Sequence, residues 1–430
     1  MTNRRRYLLL ASLCGSLFLV SLDGTIVNVA LPSIARELHS SVANLQWTVD
    51  AYLLVLAALL LLSGSLADRL GRKKVFAVGV IIFTAGSLLC SIAPTDTWLI
   101  VFRMLQAVGG SAMTPVALAI VTNIFTRPAE RARAIGIWAA VSGVGIAAGP
   151  LLGGFLIDSI GWRAIFWINV PTGIAVAVLT LVLVPESRAA KPRALDPIGQ
   201  VLAVALMGTL VFAIIETPRL GYTSPLVIAA ATAAVVSLVA LIAYEGRRAE
   251  PLIPLALFRQ RRFSVAFSIA ILGFLAFGAF LFANTLYLQE ARGLAASEAG
   301  LLTLPLAVAT VIAAPLSGRL FTRFGGRRPL LIAGIGLAAG PLLIIGAMQL
   351  PSVAWLLLPY ALFGVGYGCS TRPSTTPRSR TFPMIKLESP QASSRQQSRW
   401  DPRSVSPSPA PSSPHSRTPS SRSLSRTVAG

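Results

Sequence analysis

Charged residues are scarce in this chain. Only 12% of its 430 residues are Asp, Glu, Lys or Arg, whereas 54% are hydrophobic. A soluble globular domain averages about 25% charged residues, so this composition excludes an ordinary water-soluble fold for most of the chain. Instead, uncharged runs of about 20 residues, the length needed to cross a bilayer core, recur along the sequence.

Residues typical of metal centres and catalytic sites are also few. The chain has three cysteines, Cys14, Cys90 and Cys369, and two histidines, His39 and His415. They lie far apart and form none of the Cys-x-x-Cys or Cys/His spacings of a metal site. No P-loop, nucleophile elbow or dinucleotide fingerprint is present. We therefore expect no metal, no cofactor and no enzymatic activity.

The positive charge divides unevenly along the chain. The net charge is +21, with +13 in residues 1–369 and +8 in residues 370–430. A nucleic-acid-binding surface needs a soluble basic face, and residues 1–369 contain no soluble domain to carry one. We interpret their charge as that of loops beside a membrane, and we expect no nucleic-acid partner.

The uncharged runs predict twelve membrane spans, once the run from 329 to 371 is divided near Gln349-Leu350-Pro351. The other ten are expected at 7–31, 51–67, 75–94, 98–120, 134–157, 164–184, 197–215, 225–244, 263–289 and 299–318. The N-terminal Arg4-Arg5-Arg6 and the apolar run after it could form a signal peptide. That run continues past Asp23 as far as Pro32, so an uncleaved first span is the preferred interpretation.

Basic residues alternate between the loops. Every second loop, starting with the N-terminus, is rich in Lys and Arg, and these loops hold 22 such residues against four in the others. Short loops rich in Lys and Arg stay on the cytoplasmic side, so the N-terminus is predicted to be cytoplasmic. One missed helix would break the alternation, which therefore supports the span count. We expect a multi-pass protein of the inner (cell) membrane.

The loop after the second span has a patterned sequence, Gly64-Ser-Leu-Ala-Asp68-Arg69-Leu-Gly71-Arg72-Lys73-Lys74. Gly64 would let a neighbouring helix approach closely, and Asp68 could face a helix N-terminus or pair with a cation. A loop that is merely basic would supply the Arg and Lys residues but not the Gly-x-x-x-Asp-x-x-Gly frame. A weaker copy, with Thr322 at the acidic position, follows the tenth span at 318–328.

The fifth span contains the small-residue sequence Gly145-Ile-Ala-Ala-Gly149-Pro150-Leu-Leu-Gly153-Gly154. Small residues four positions apart let helices pack closely. Pro150 removes a backbone hydrogen bond and bends the helix. Ordinary small-residue packing is the alternative interpretation of this segment.

Two ionisable residues lie deep within the first six spans. The first span ends in Leu22-Asp23-Gly-Thr25-Ile-Val-Asn28-Val-Ala-Leu-Pro32, and the fourth contains Arg103-Met-Leu-Gln106-Ala-Val-Gly109-Gly110. A charge at the bilayer centre costs roughly 2.5–3.5 kcal/mol on insertion scales, so such residues usually serve a function. Permanent structural pairing of Asp23 or of Arg103 is the alternative.

Together these segments resemble the major facilitator superfamily. The loop at 64–74 is similar to its signature, and the frame at 145–154 to the motif of its antiporters. The sequences around Asp23 and Arg103 resemble its 14-span drug:proton antiporters, as does Trp162-Arg163-Ala-Ile-Phe166-Trp167-Ile-Asn169-Val-Pro171. Two spans between the sixth span and Phe263 are the mark of that class.

The resemblance implies a proton-driven exporter of amphipathic or cationic drugs that works by alternating access. Its partners would be a small drug-like molecule, protons and the lipid bilayer. Asp23 would carry the coupling proton or bind a cationic drug, and Arg103 would take part in proton transfer. The loop at 64–72 would act as a cytoplasmic latch between two halves, and the frame at 145–154 would mark an antiporter.

The predicted fold is an all-α polytopic membrane protein of the major facilitator type, with two pseudo-repeated helical halves around a central cavity. Residues 1–184 would form a six-helix N-terminal half, and residues 185–262 two additional central spans with their loops. Residues 263–368 would supply about four helices of an incomplete C-terminal half. Residues 369–430 would form a separate tail.

The resemblance is expected to stop near residue 368. Residues 370–430 contain 17 Ser and 10 Pro, cannot bury a core and are predicted to be disordered. Read from the third base of each codon, with codons chosen among those permitted, the tail can encode apolar sequence like the next spans of the family, which favours a frame shift. A natural regulatory tail is the alternative. Two rival functions remain: a defective remnant of a transporter, or a membrane protein whose basic tail binds nucleic acid or anionic lipid.

Overall fold

The computed structural model describes residues 3–189, 195–248, 255–325 and 327–370. The tail from 371 onward, with its predicted disorder, and the loop residues Lys191 and Arg193 lie outside the described residues. The helices are α1 (Asn3–Leu38), α2 (Val42–Leu70), α3 (Arg72–Ser91), α4 (Asp96–Ile124), α5 (Pro128–Ser159), α6 (Ala164–Trp167), α7 (Asn169–Leu183), α8 (Pro197–Leu220), α9 (Pro225–Glu245), α10 (Arg261–Leu286), α11 (Ala296–Leu302), α12 (Leu304–Phe324), α13 (Arg327–Met348) and α14 (Leu357–Ser370). A π-helical turn, Tyr287–Ala291, extends α10.

Within the described residues, twelve helical segments are long and apolar enough to cross a bilayer. They coincide in order with the twelve predicted spans, so the chain is a multi-pass membrane protein. Several helices run further than expected. The second begins at Val42 rather than at 51, because the Ser41 side chain caps it by accepting a hydrogen bond from the Asn44 amide at 3.2 Å. The sixth span is interrupted at Ile168, between α6 and α7.

Successive membrane spans run in opposite directions, because each of them crosses the bilayer. The helical bundle therefore has two ends. The basic end is where α1 begins at Asn3, next to the Arg4-Arg5-Arg6 cluster, and the distal end is where α1 finishes at Leu38. Helices α5 and α10 likewise finish at the distal end, and α11 begins there.

Close packing of α3 on α4 fixes the core of the N-terminal half. A Cβ atom added to Gly86 would lie 2.6 Å from the Cα of Gln106, so no larger residue fits at position 86 without moving the helices apart. Because the two backbones approach this closely, short side chains on α3 reach polar groups on α4. This contact brings Gln106 next to Ser87.

The additional helices α8 and α9 pack on each other, and α8 also packs on α2. The Gln200 amide of α8 donates to the Ala58 carbonyl of α2. Near the distal end, Trp47 Nε1 donates to Glu216 Oε1 at 3.0 Å. Two polar contacts well apart along α8 thus attach this helix to the N-terminal half.

The part of the C-terminal half that is described has its own aromatic core. Phe277 of α10 stacks on Tyr367 of α14 with ring centroids 4.1 Å apart, and Phe280 packs against Tyr360 and Phe363. Because lipid is as apolar as these rings, close contact between the rings, rather than their removal from water, favours the packing of these helices. Four of the twelve spans belong to this region.

Candidate functional site

The Asp23 side chain is buried in the N-terminal half, with none of its surface exposed. Its carboxylate forms an ion pair with Arg103 of α4. It also accepts a hydrogen bond from Gln106 Nε2 at 2.8 Å and one from Asn169 Nδ2 at 3.1 Å. A buried charge is tolerated only when it is paired and hydrogen-bonded, and Asp23 meets both conditions.

Arg103 is held from several sides and is only 1% exposed. Its Nη1 also donates to Gln106 Oε1 at 2.8 Å, and its Nε donates to the Thr48 carbonyl at 3.3 Å. The guanidinium carbon lies 3.9 Å from the centroid of the Tyr52 ring. A guanidinium presents several donors in a fixed plane and stacks on aromatic rings, so this environment suits Arg better than Lys.

Three polar side chains complete the cluster. Gln106 Nε2 donates to Ser87 Oγ at 2.6 Å, and Asn169 Nδ2 lies 3.3 Å from the same oxygen. The Oδ1 atom of Asn169 is buried and has no hydrogen-bond partner among the described residues. The polar cluster, defined as Asp23, Ser87, Arg103, Gln106 and Asn169, is therefore almost fully satisfied internally.

The sequence patterns predicted Asp23 and Arg103 as site residues but not the other three members of the polar cluster. Gln106 stood in the same sequence frame as Arg103, and its spacing of three residues already placed it on the same helix face. Asn169 stood in the aromatic segment that follows the fifth span. Ser87 gave no signal, because its position depends on the packing of α3 against α4.

The loop after α2 folds back on the end of the N-terminal half. Asp68 accepts hydrogen bonds from Arg72 Nε at 3.1 Å and from Arg72 Nη2 at 2.8 Å. Gly71 has a φ of +119°, and a Cβ there would lie 2.6 Å from a Glu186 oxygen. The Ala189 amide donates to the Asp68 carbonyl at 3.1 Å. These contacts join the loop to residues 186–189, after α7.

Gly64 does not have the role expected from the sequence in this arrangement. Among the described residues, no atom outside the local backbone of α2 lies within 4 Å of a Cβ built at this position, so no other helix approaches it closely. Arg69 is exposed at the basic end. The close approach expected at Gly64 therefore has to be corrected: the glycine that is sterically required in this loop is Gly71.

The small residues of α5 pack this helix on two sides. A Cβ on Gly145 would lie 2.9 Å from the Ser21 Cβ of α1, and one on Gly153 would lie 2.8 Å from Ile26 Cγ1. On the other side, a Cβ on Gly154 would lie 2.7 Å from the Ser297 Cα of α11. Gly149 packs against Thr25, and Pro150 lies inside the helix, close to Gly300. The motif thus places α5 between α1 and the C-terminal half.

A narrow cleft lies between α5, α10 and α12. Its described walls are apolar except for two threonine hydroxyls, and they carry no charged side chain. Its lining comprises Gly143, Ile146, Ala147, Pro150, Phe277, Phe280, Leu281, Thr303, Leu306, Ala307 and Thr310. We call this space the central cleft. Nowhere in the described part of the chain do three or more His, Cys, Asp or Glu residues group as a metal site would require.

Close to Asp23, two polar contacts connect α1, the helix of this residue, to α5, which forms one wall of the central cleft. The Oγ1 atom of Thr25, two residues after Asp23, lies 3.2 Å from the Ile146 carbonyl of α5 and 3.2 Å from the Leu22 carbonyl of its own helix, and the hydroxyl can donate to either. One turn earlier, the hydroxyls of Ser21 and Ser142 lie 2.8 Å apart. The buried polar cluster and the central cleft are therefore separated by the α1–α5 contact alone.

Comparison with known proteins places these features in a family. The sequence profile described as "Major Facilitator Superfamily" matches residues 13–383, beyond residue 368 where the resemblance was expected to stop. Multidrug resistance protein Stp of Mycobacterium tuberculosis is 38% identical over 374 residues, which cover 87% of this chain and 70% of that protein. The tetracenomycin C resistance and export protein of Streptomyces glaucescens is 37% identical over 350 residues, covering 81% and 65%.

Solved structures show the same fold. A bacterial homologue of the human lysosomal transporter Spinster, inward-facing and unoccupied, superposes with a TM-score of 0.60 at 22% identity, covering 86% of this chain and 74% of that one. The POT family transporter PepTSo gives a TM-score of 0.61 at 17% identity, covering 86% and 82%. At these identities the likeness concerns the fold alone.

Proposed function

This chain belongs to the major facilitator superfamily, and we propose that it is a proton-coupled secondary transporter that exports drug-like molecules by alternating access. The observation that carries the proposal is a buried acid–base pair, Asp23 and Arg103, one helix contact away from an uncharged cleft between two halves. Relatives named for multidrug resistance and for tetracenomycin C resistance and export support the same activity.

Proton coupling follows from the charge balance of the polar cluster. While Asp23 is ionised, its charge balances that of Arg103. Protonation of Asp23 would leave a buried guanidinium without a counter-charge, and an unpaired buried charge costs several kcal/mol. The protonated protein is therefore driven toward an arrangement in which Arg103 meets water or another partner. In this way proton binding at Asp23 would shift the equilibrium between the two arrangements of the halves.

The Thr25 hydroxyl would couple the proton site at Asp23 to the central cleft. A displacement of α1 at Asp23 would move the Thr25 side chain, whose Oγ1 lies within hydrogen-bond distance of the carbonyl of the cleft residue Ile146. The glycines of α5 let the two backbones touch, so such a displacement would pass directly to the wall of the central cleft.

The lining of the central cleft suggests the substrate class. Phe277 and Phe280 offer aromatic surface, while Thr303 and Thr310 are the polar side chains among its described residues. Ligand sites are mostly apolar with a few polar groups that fix orientation. The proposed substrates are therefore amphipathic or uncharged lipophilic molecules. A positive charge on the substrate would find no carboxylate in this lining.

The orientation is proposed from the loop charges. The basic end would face the cytoplasm of a cell with an inner membrane, and the distal end would face outward. Asp68 and Arg72 would then act at the cytoplasmic side, as a latch that locks when this side closes. The small residues of α5 would hold the N-terminal half against the C-terminal half at the outer side.

A transport assay tests the proposal. Everted membrane vesicles containing the chain would be given a proton gradient and either Nile red, which is uncharged, or ethidium, which is a cation. We expect gradient-dependent uptake of Nile red that exceeds that of ethidium and that collapses when the gradient is dissipated. Uptake indifferent to the gradient would overturn proton coupling, and preference for ethidium would overturn the substrate class.

A further inference from the structure

Asp158 joins the two halves at the distal end. It lies in the last turn of α5, in the N-terminal half. One of its carboxylate oxygens accepts a hydrogen bond from the Ala296 amide at 3.3 Å, and the other accepts one from the Ser297 amide at 2.8 Å. These amides belong to the first two residues of α11, which starts the span Ala296–Leu320 of the C-terminal half.

The sequence before α11 supplies no side-chain acceptor for these amides. The first amides of a helix have no acceptor within the helix, and the residue before the helix usually supplies one from a Ser, Thr, Asp or Asn side chain. Here that residue is Ala295, whose methyl group accepts nothing. The Asp158 carboxylate from the other half takes this place, and its negative charge faces the positive end of the helix dipole.

The junction around Asp158 is closely packed. A Cβ on Gly154 would lie 2.7 Å from the Ser297 Cα, and one on Gly300 would lie 3.5 Å from the Leu151 Cα. Nearby, Gln289 Nε2 donates to the Val29 carbonyl at 2.9 Å, which ties the end of α10 to α1. The backbones of the two halves are thus in contact here, and the cap exists only while that contact is made.

We propose that Asp158 is a gate residue, whose carboxylate favours the arrangement in which the distal ends of the halves are closed. When the ends separate, the two hydrogen bonds between the amides and the carboxylate break, and these groups bond to water instead. The inference rests on the alternating access of the proposed function, but it concerns the equilibrium between two arrangements rather than the transported molecule. Loss of a helix cap of this kind is expected to shift that equilibrium on the order of tenfold toward the open arrangement.

A matched control lies on the same helix. Glu298 Oε2 accepts a hydrogen bond from the Ala295 amide at 3.1 Å, so this carboxylate also caps α11 but does so from within its own half. Glu298→Gln removes a negative charge from the same helix end without touching the contact between halves. A general effect of charge or of helix stability would appear in both variants, whereas a gate would respond only to Asp158.

The experiment measures distances between spin labels at Cys substitutions of Ile160 and Glu290, both exposed, on the full chain in lipid nanodiscs with its three native cysteines replaced by serine. We expect Asp158→Ala to raise the ratio of long to short distances about tenfold. Asp158→Asn should raise it less, because an amide oxygen still accepts, and Asp158→Glu should restore much of the short-distance population.

Two outcomes would overturn the gate: a distance distribution unchanged in Asp158→Ala and Asp158→Asn, or an equal shift in Glu298→Gln. Circular dichroism of every variant identifies misfolding. If the Ala variant does not fold, the Asn variant, which keeps the side-chain shape, tests the gate in its place. Absence of drug transport combined with the expected distance shift would reject the proposed function and leave the gate standing.

Discussion

Asp23 and Arg103 lie 80 residues apart in the chain, yet their side chains form an ion pair that is sealed from solvent. The pair sits inside one half of the protein, behind the central cleft rather than in it. Removing one partner of a buried pair leaves the other charge uncompensated and costs about 3–5 kcal/mol. A substitution that removes the charge of either residue is therefore expected to have a large effect.

Asp23→Asn should abolish proton-dependent efflux, because an amide cannot take up and release the coupling proton. Insertion into the membrane should persist, since the spans that direct it are unchanged. Gradient-driven uptake into everted vesicles measures efflux, and the amount of the protein in the membrane fraction measures insertion. Glu290→Gln, which removes an exposed carboxylate at the distal end, serves as the control. Wild-type efflux in Asp23→Asn would remove this residue from the coupling mechanism.

Arg103→Ala should also abolish efflux, because Asp23 would lose its counter-charge while staying buried. Arg103→Lys should retain part of the activity: an ammonium keeps the charge but cannot bond Asp23, Gln106 and the Thr48 carbonyl in one plane or stack equally well on Tyr52. The same vesicle assay gives the order wild type, Lys, Ala. Full activity of the Ala variant would contradict a role for Arg103.

Asp68→Asn should slow transport several-fold and leave drug binding nearly unchanged. The substitution weakens the paired hydrogen bonds from Arg72, which hold the loop at the basic end, and it leaves the central cleft intact. Turnover and equilibrium binding of Nile red would be measured separately. Lys74→Gln, which removes an exposed charge from the same loop, is the control. Lost binding with normal turnover would argue against a latch.

Thr25→Val should reduce coupled transport while both the polar cluster and the central cleft stay in place. Valine has nearly the shape of threonine but cannot donate to the Ile146 carbonyl. Thr122→Val is the matched control, because the Thr122 hydroxyl donates at 2.9 Å to Ala119 within its own helix. The number of protons moved per Nile red molecule should fall in the first variant only. Equal coupling in the two variants would exclude this path.

The composition of residues 370–430 gives a prediction about the gene. If these residues are translated from a shifted frame, genomic DNA across codon 369 will encode apolar spans in another frame. A frame-corrected form should then confer more drug resistance, and accumulate to a higher level, than the 430-residue form in a drug-sensitive host. Equal resistance from the two forms would identify the tail as a working part of the protein.

Much of the architecture was predictable because membranes impose local rules. Each span needs about 20 apolar residues, and the loops of one side collect the basic residues. Both rules operate on neighbouring residues, so the twelve spans and their order followed directly from the sequence. The helix ends were less predictable: α2 starts at Val42 because of a polar cap that hydrophobicity alone does not register.

The candidate site was only partly predictable. Asp23 and Arg103 stood out because ionisable groups are expensive inside a bilayer, which makes each conspicuous by itself. The expected close packing at Gly64 is absent, whereas Gly71 is required by a positive φ and by Glu186, a residue far along the chain. The need for glycine at position 71 depends on a segment far along the chain, so the sequence of the loop alone does not reveal it.

Local patterns of hydrophobicity and charge predict a multi-pass helical protein, its family resemblance and the two charges that a bilayer would not otherwise tolerate. The folded chain adds that Ser87 and Asn169 complete the polar cluster, and that Asp158 caps a helix 139 residues away. These contacts could not be predicted, because they depend on how each helix is rotated and how closely its neighbours approach. Hydrophobicity fixes that a helix lies in the membrane, but small residues and polar partners on other helices fix which of its faces meet.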